Sequence, residues 1–274
     1  MTAAPPSSRT DSAMAKALKP IRPNAGLTVA YRTRLEKEID AMHASLMRWL
    51  LASYRANPPA LAQDELAANS LRDQMAKLGR RWRKRFNDLA PKLADYFATT
   101  ASQRVDARLK AMLKEAGLTV QFKLTAAQRD AYQAVIAENV SLIKSIAEKH
   151  LTNVEGDVMR SVAAGRDLGT LAKALEKNYG VTKRRAAFIA RSQNNMATAV
   201  LTRVRQEQAG ITKARWLHSA GGKHPRKSHV KAGQNKTVYD VREGWLDPEV
   251  NERVWPGQLP NCRCVSIPVI DALA

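Results

Sequence analysis

Cysteine is almost missing from this chain, with two in 274 residues. That is too few for the disulfide framework that staples small secreted domains. Cys262 and Cys264 stand one residue apart, and a bridge over so short a loop is strained; free thiols and a reducing compartment are expected. Aromatic residues make up only 5%, which favours helices packed through Ala and Leu over a β-sandwich. Acidic side chains are outnumbered, 25 Asp+Glu against 45 Lys+Arg, for a formal charge of +20. Such a field attracts polyanions: nucleic acid, an anionic membrane surface or an acidic protein. No apolar run reaches the roughly 18 residues that span a bilayer, so no membrane-spanning segment is expected. The opening Met1–Ser8 stretch has no basic segment leading into an apolar one, so no secretory signal is expected. No Walker lysine loop, G-x-S-x-G elbow, kinase-type Gly loop or carboxylate set for two-metal hydrolysis stands out, and the chain is expected not to be an enzyme.

Hydrophobic residues make up 45% of the chain, enough to pack one large domain or two smaller ones. Residues 1–26, with Pro5, Pro6, Pro20, Pro23 and Gly26, read as a flexible N-terminal arm. A helical region follows over 27–180. Leu35, Ile39, Met42, Leu46, Trp49 and Leu50 recur at helical steps until Asn57-Pro58-Pro59 stops them. Helical pattern resumes from about 61 to 115, with Pro91 as a kink or break. Thr125 is the expected N-cap of a long helix whose stripe runs from Tyr132 through Val140, Ile143 and Leu151 to Val158. His150 is placed on its surface. A short helix from Leu168 is expected to stop at Asn178-Tyr179-Gly180, with Thr182 capping a second helix over 183–209. The third segment, 181–274, then turns to short strands at 214–218 and 265–270, joined by turns rich in Gly, Pro, Asn and Asp. The expected fold is mainly α, with long helices in the N-terminal two-thirds and a small α+β C-terminal module.

Two clusters carry the positive charge. In Gly79–Phe86, Arg80, Arg81, Arg83, Lys84 and Arg85 interleave with Trp82 and Phe86. They form either a phosphate-binding strip with the aromatics beside the backbone or bases, or a solvated helix face with both aromatics turned inward. Lys183, Arg184 and Arg185 form the second cluster. Phosphate contacts of this kind give affinity without sequence preference.

The chemically capable residues gather near the end, where three of the five His, three of the five Trp and both Cys lie after residue 210. Six elements follow in order: Ala190-Arg191-Ser192 with Asn195 on a helix, Gly210-Ile211, Trp216 on a strand, Arg226-Lys227-Ser228-His229 with Gly233, a Pro256-Gly257 turn, and Asn261-Cys262-Arg263-Cys264 before a closing apolar strand. With these elements, residues from about 160 to 270 resemble the phage head morphogenesis family, the Mu F-like minor head proteins. Two positions depart from the family: Gln193 stands where an acidic residue is frequent, and Ser219-Ala220-Gly221-Gly222 occupies a loop that often carries Asp. The resemblance implies a minor structural protein of a tailed-phage head, acting in capsid or prohead assembly at the portal–capsid junction. The implied partners are the portal protein, the major capsid protein and packaged double-stranded DNA. Several copies are implied per assembly, in the head interior or at the portal vertex of the virion, after assembly in the host cytoplasm. The rival reading is a nucleic-acid-binding protein unrelated to particles.

Three readings of the C-terminal cluster remain open. Cys262, Cys264 and His229, with His218 or His224, would supply a structural Zn²⁺ shell. Alternatively, the two thiols lie buried under Trp216 on one side of an extended segment, with Arg263 on the other and His229 bonded to backbone. In the third reading His229, His224, Lys227 and Arg226 form the acid/base and phosphate clamp of a metal-independent ribonuclease-like site. Trp216, Arg226, His229, Gly233, Asn261, Cys262 and Cys264 are expected to hold the module together.

Overall fold

The computed structural model describes residues 16–56, 65–123, 125–165, 167–222 and 224–270. Four long helices make the body: α1 (Ala25–Ala56), α2 (Glu65–Glu115), α3 (Ala126–Ala163) and α4 (Leu168–Gln208). Each buries one stripe at three- and four-residue steps, as an amphipathic helix must. On α1 the stripe is Leu27, Tyr31, Leu35, Ile39, Met42, Leu46, Leu50 and Tyr54. Phe86, Phe97 and Leu109 of α2 meet Ile143, Val154 and Val158 of α3 in the same core. Burying each such side chain stabilises the fold by about 1.5–3 kcal/mol.

Local chemistry sets several boundaries. Thr125 caps α3 by accepting from Gln128 N, and Asp167 caps α4 by accepting from Gly169 N. After α2 the chain turns at Gly117 (φ 85°), and Leu118 N–H returns to Leu113 C=O at 2.8 Å, which satisfies an end carbonyl. Asn57-Pro58-Pro59, the expected stop after α1, lies outside the described residues.

The structure departs from the sequence reading at four places. Pro91 does not break α2, which runs on through it. Pro91 and Asn87 are both exposed, so the carbonyl that loses its partner faces water. Asn178-Tyr179-Gly180 does not stop a helix either, because α4 is continuous through it and Thr182 caps nothing. Leu171, Leu175, Thr182, Ala186 and Ile189 are buried along one stripe, and a break would throw them out of phase. His150 is not on the surface. It is 1% exposed and its Nδ1 lies 2.9 Å from Thr182 Oγ1. Burial, then the neighbouring His43, push its pKa down to about 4. Finally, the described part of the arm is ordered: Lys16–Ala17 form strand β1, and Leu18 and Ile21 join the core. Residues 1–15 lie outside the described residues.

The C-terminal module packs on the end of α4. Strands β2 (Lys213–Leu217), β3 (Val238–Asp240) and β6 (Val265–Ile270) join β1 in an antiparallel sheet of order β1-β6-β2-β3. Trp216 pairs with Ser266 across β2 and β6. Helix α5 (Lys227–Gln234) lies against β2, and β4 (Trp245–Asp247) pairs with β5 (Glu252–Val254). The architecture is therefore mainly α with a small strand-containing C-terminal module. No helix among the described residues is long and apolar enough to cross a membrane.

Candidate functional site

The scattered motif residues of the last third close into one site at the junction of α4, β2, α5 and the segment before β6. Helix α4 supplies the clamp. Asn195 Nδ2 donates to Cys262 C=O at 2.8 Å, Ser192 Oγ accepts from Asn261 N at 3.3 Å, and Arg191 donates to Asn261 Oδ1 at 3.2 Å. Gly257 (φ 88°) lets the incoming turn press on α4. A Cβ there would sit 3.1 Å from Cys264 O and 3.2 Å from Ala199 Cβ. On the other side Gly233 lets α5 meet β2, since a Cβ would stand 2.4 Å from His218 Cβ. The Arg-Ser…Asn, Pro-Gly and Asn-Cys-Arg-Cys elements, far apart in sequence, thus form one scaffold.

At its centre His229, Cys262 and Cys264 are all buried. His229 Nδ1 faces Cys262 Sγ at 3.5 Å and Cys264 Sγ at 3.8 Å. Its other nitrogen, Nε2, lies 3.1 Å from Asp247 Oδ2, and Asp247 is 0% exposed. Asp247 is held in turn by Glu249 N–H at 2.9 Å, while Glu249 Oε1 accepts from Ser228 N at the start of α5 at 2.7 Å. The Trp216 ring meets His229 edge-on at 4.8 Å and Trp245 at 5.0 Å, which fixes the imidazole plane. The hydrogen bond between the two thiols favours thiolate at Cys262 and pushes Cys264 up, and burial opposes thiolate at both.

Beside this core lies a cleft of about 740 Å³, lined by His218, His224, Arg191, Arg226 and Arg263 among others. Arg226 ties the loops together by donating to Pro260 C=O at 3.3 Å, and Arg263 does so through Gly221 C=O. Among the described residues the lining carries three arginines and no acidic side chain, so the cleft is cationic.

The structure brings together every motif residue expected to hold the module: Trp216, Arg226, His229, Gly233, Asn261, Cys262 and Cys264. The alternation of Cys262, Arg263 and Cys264 holds, although the segment is extended chain ahead of β6 and not part of the strand. His229 is bonded to a carboxylate rather than to backbone. Of the additional ligands considered, His218 and His224 line the cleft, but the tight group is His229, Cys262 and Cys264. His229 is 2% exposed and reaches the cleft only at its edge, with Nε2 facing Asp247 and Nδ1 facing the two sulfurs. Asp247 was not identifiable from sequence, because nothing in an acid that follows a His by 18 positions marks it as a partner. Gln193, at the family's acidic position, faces away from the cleft. It is buried in the bundle, where its Nε2 donates to Glu138 at 3.0 Å.

The two basic clusters lie at one level of the bundle. Arg83 pairs with Glu148 of α3 and Arg85 with Glu38 of α1. Lys183 pairs with Asp40 of α1, and Arg185 donates to Ser145 of α3. Lys84 pairs with Asp88. Arg80, Arg81 and Arg184 are exposed, and no ion pair involves them among the described residues. Trp82 and Phe86 are buried, 6% and 0% exposed, so they turn inward and do not stack on a nucleic acid.

Comparison with known proteins places this geometry. Residues 152–267 match the family model described as "Phage Mu protein F like protein". A protein of Haemophilus influenzae (strain ATCC 51907 / DSM 11121 / KW20 / Rd), described as "Uncharacterized protein", is 28% identical over 272 residues. The match covers 96% of this chain and 58% of the relative, so the chain spans less than two thirds of that protein's length. No solved structure matches. The matched segment runs from the later turns of α3 into β6 and takes in the whole clamp and the His-Cys-Cys group. Residues 152–267 thus match the phage Mu protein F like family that the sequence motifs resemble.

Proposed function

We propose that this protein is a minor structural component of a tailed-phage head. In this reading it acts during prohead assembly at the portal–capsid junction, bound to the portal and major capsid proteins, and touches packaged double-stranded DNA. The observation that carries the proposal is the Mu F-like region itself, whose scattered motif residues form one scaffold around a buried His-Cys-Cys group. Net charge supports the DNA contact: a +20 chain suits the dense polyanion inside a filled head. Arg80, Arg81 and Arg184, the exposed cations of the two clusters that make no ion pair among the described residues, carry the phosphate contacts, and Arg185, half-buried and bonded to Ser145, has a smaller share. Ion pairs within the bundle occupy Arg83, Lys84, Arg85 and Lys183, whose shares are smaller.

The test is quantitative mass spectrometry of purified particles and precursor heads from the producing strain, scored against the portal and major capsid proteins. A low, fixed ratio to the portal supports the proposal. Absence from both mature particles and precursor heads overturns it and favours a nucleic-acid-binding protein unrelated to particles.

A further inference from the structure

We propose that His229 Nδ1, Cys262 Sγ and Cys264 Sγ bind one divalent cation of the zinc class, with a fourth ligand from the cleft and Asp247 as the carboxylate that orients the histidine. The inference does not depend on the head-protein reading. Its first support is spacing. The three donor atoms lie within 4.8 Å of one another, and His229 Nδ1 stands 3.5 and 3.8 Å from the two sulfurs. Tetrahedral zinc with bonds of roughly 2.0–2.1 Å to nitrogen and 2.3 Å to sulfur sets such a pair about 3.6 Å apart.

The second support is the histidine's far side. Nε2 faces Asp247 at 3.1 Å, so the Nε2–H donates to the carboxylate and the Nδ1 lone pair is left pointing between the two sulfurs. A carboxylate behind a ligating imidazole is the recurring outer partner of bound zinc, fixing tautomer and ring orientation. Asp247 is 0% exposed and is itself held by Glu249 N–H. The third support is charge. Two thiolates balance one divalent cation, and the donor set of two soft sulfurs and one imidazole suits zinc over calcium or magnesium.

The fourth position faces the cleft, which the three ligand residues help to line beside Arg191, Arg226 and Arg263. Water or a small anion completes the shell there. The bound ion cross-links α5 to the segment ahead of β6, adding to the Arg226 bond to Pro260 C=O, and so staples the module to the clamp of α4.

The experiment uses the full chain expressed in zinc-supplemented medium and purified without chelator. Elemental analysis is expected to give one zinc per chain. Cobalt replacement is expected to give intense visible ligand-field bands with a thiolate charge-transfer band. Cys262→Ser and Cys264→Ser each lose the metal. Asp247→Asn, which keeps all three donors, retains it with affinity lowered about 10–100-fold. That graded loss separates an orienting carboxylate from a merely structural one. Wild-type chain that is folded and monodisperse, takes up no zinc or cobalt and shows no rise in Tm with added zinc overturns the proposal. So does alkylation of Cys262 at a rate that zinc leaves unchanged.

Discussion

The buried polar chain between α1, α3 and α4 offers a strict test of how the bundle is held. Tyr31 OH donates to Asn139 Oδ1 at 2.9 Å, and Asn139 Nδ2 donates to Val135 C=O at 2.8 Å and to Gln193 Oε1 at 2.9 Å. Tyr31 and Asn139 are both 0% exposed. Burial raises the Tyr31 pKa well above its usual value, so the phenol stays protonated and donates. Asn139→Leu fills nearly the same volume but orphans the Tyr31 hydroxyl and Gln193 Oε1. Each of the two orphans costs about 1–3 kcal/mol, and the added apolar burial returns about 1 kcal/mol, so the net loss is about 1–5 kcal/mol. Urea denaturation followed by far-UV circular dichroism measures it. Adding Tyr31→Phe removes one orphan and is expected to recover about 1–3 kcal/mol, because deleting both partners is far cheaper than deleting one. An Asn139→Leu loss below about 0.5 kcal/mol, the range of ordinary surface changes, refutes the reasoning. Failure of Tyr31→Phe to recover any stability refutes it as well.

Other consequences follow from single contacts. Gly233→Ala drives a Cβ to 2.4 Å from His218 Cβ. Overpacking of about 1–3 kcal/mol is offset by a helix-propensity gain of about 1 kcal/mol, and the net loss shows as a lowered urea midpoint. His150 has its folded pKa depressed to about 4 from 6.5, so the unfolded chain binds the extra proton between those values. Stability is then complete above about pH 6.5 and falls as pH drops toward 4, by on the order of 3 kcal/mol from this group. His43, also lowered by burial, acts in the same direction. A stability profile flat between pH 4 and 6.5, or one that His150→Gln leaves unchanged, contradicts this. For DNA, Arg80→Ala/Arg81→Ala/Arg184→Ala is expected to weaken binding to all sequences and flatten the salt slope by about 0.9 per lost phosphate contact. Arg83→Ala/Arg85→Ala/Lys183→Ala removes the same charge and is expected to do less. Equal slopes for the two triples count against ion pairing as the reason.

Much of the helical body was legible because its signals are local. Thr125 caps α3, and a stripe from Val135 to Val158 carries the helix to its end. Where two local signals conflicted, the reading failed. Asn178-Tyr179-Gly180 has the composition of a stop, yet Leu171, Leu175, Thr182 and Ala186 keep one phase across it, and packing against α1 and α3 outweighs a glycine penalty of about 1 kcal/mol. Burial of His150 was hidden for a related reason. Its stripe position was visible, but the Thr182 hydroxyl that satisfies it comes from another helix. At the site, ligand-type residues were recognisable by their chemistry. Asp247 was not, since its role depends on β4 returning beneath α5.

The clamp also explains why the region's motif is spread so widely. Ser192 and Asn195 lie on α4, and the Cys262–Cys264 segment comes about 70 positions later. A cysteine pair on an extended segment cannot hold its own backbone, because that segment lacks sheet partners until Val265 meets Leu217. The Cys262 N–H turns back to Leu259 C=O at 2.9 Å, and the other backbone groups there need partners from elsewhere. Asn195 takes the Cys262 carbonyl and Ser192 the Asn261 N–H, which sets the direction of both sulfurs toward His229. Gly257 and Gly233 then permit the two close approaches that bring α4, β2 and α5 around the same point. The residues are scattered because each secures a different element, and what they share is the position of two thiols and one imidazole.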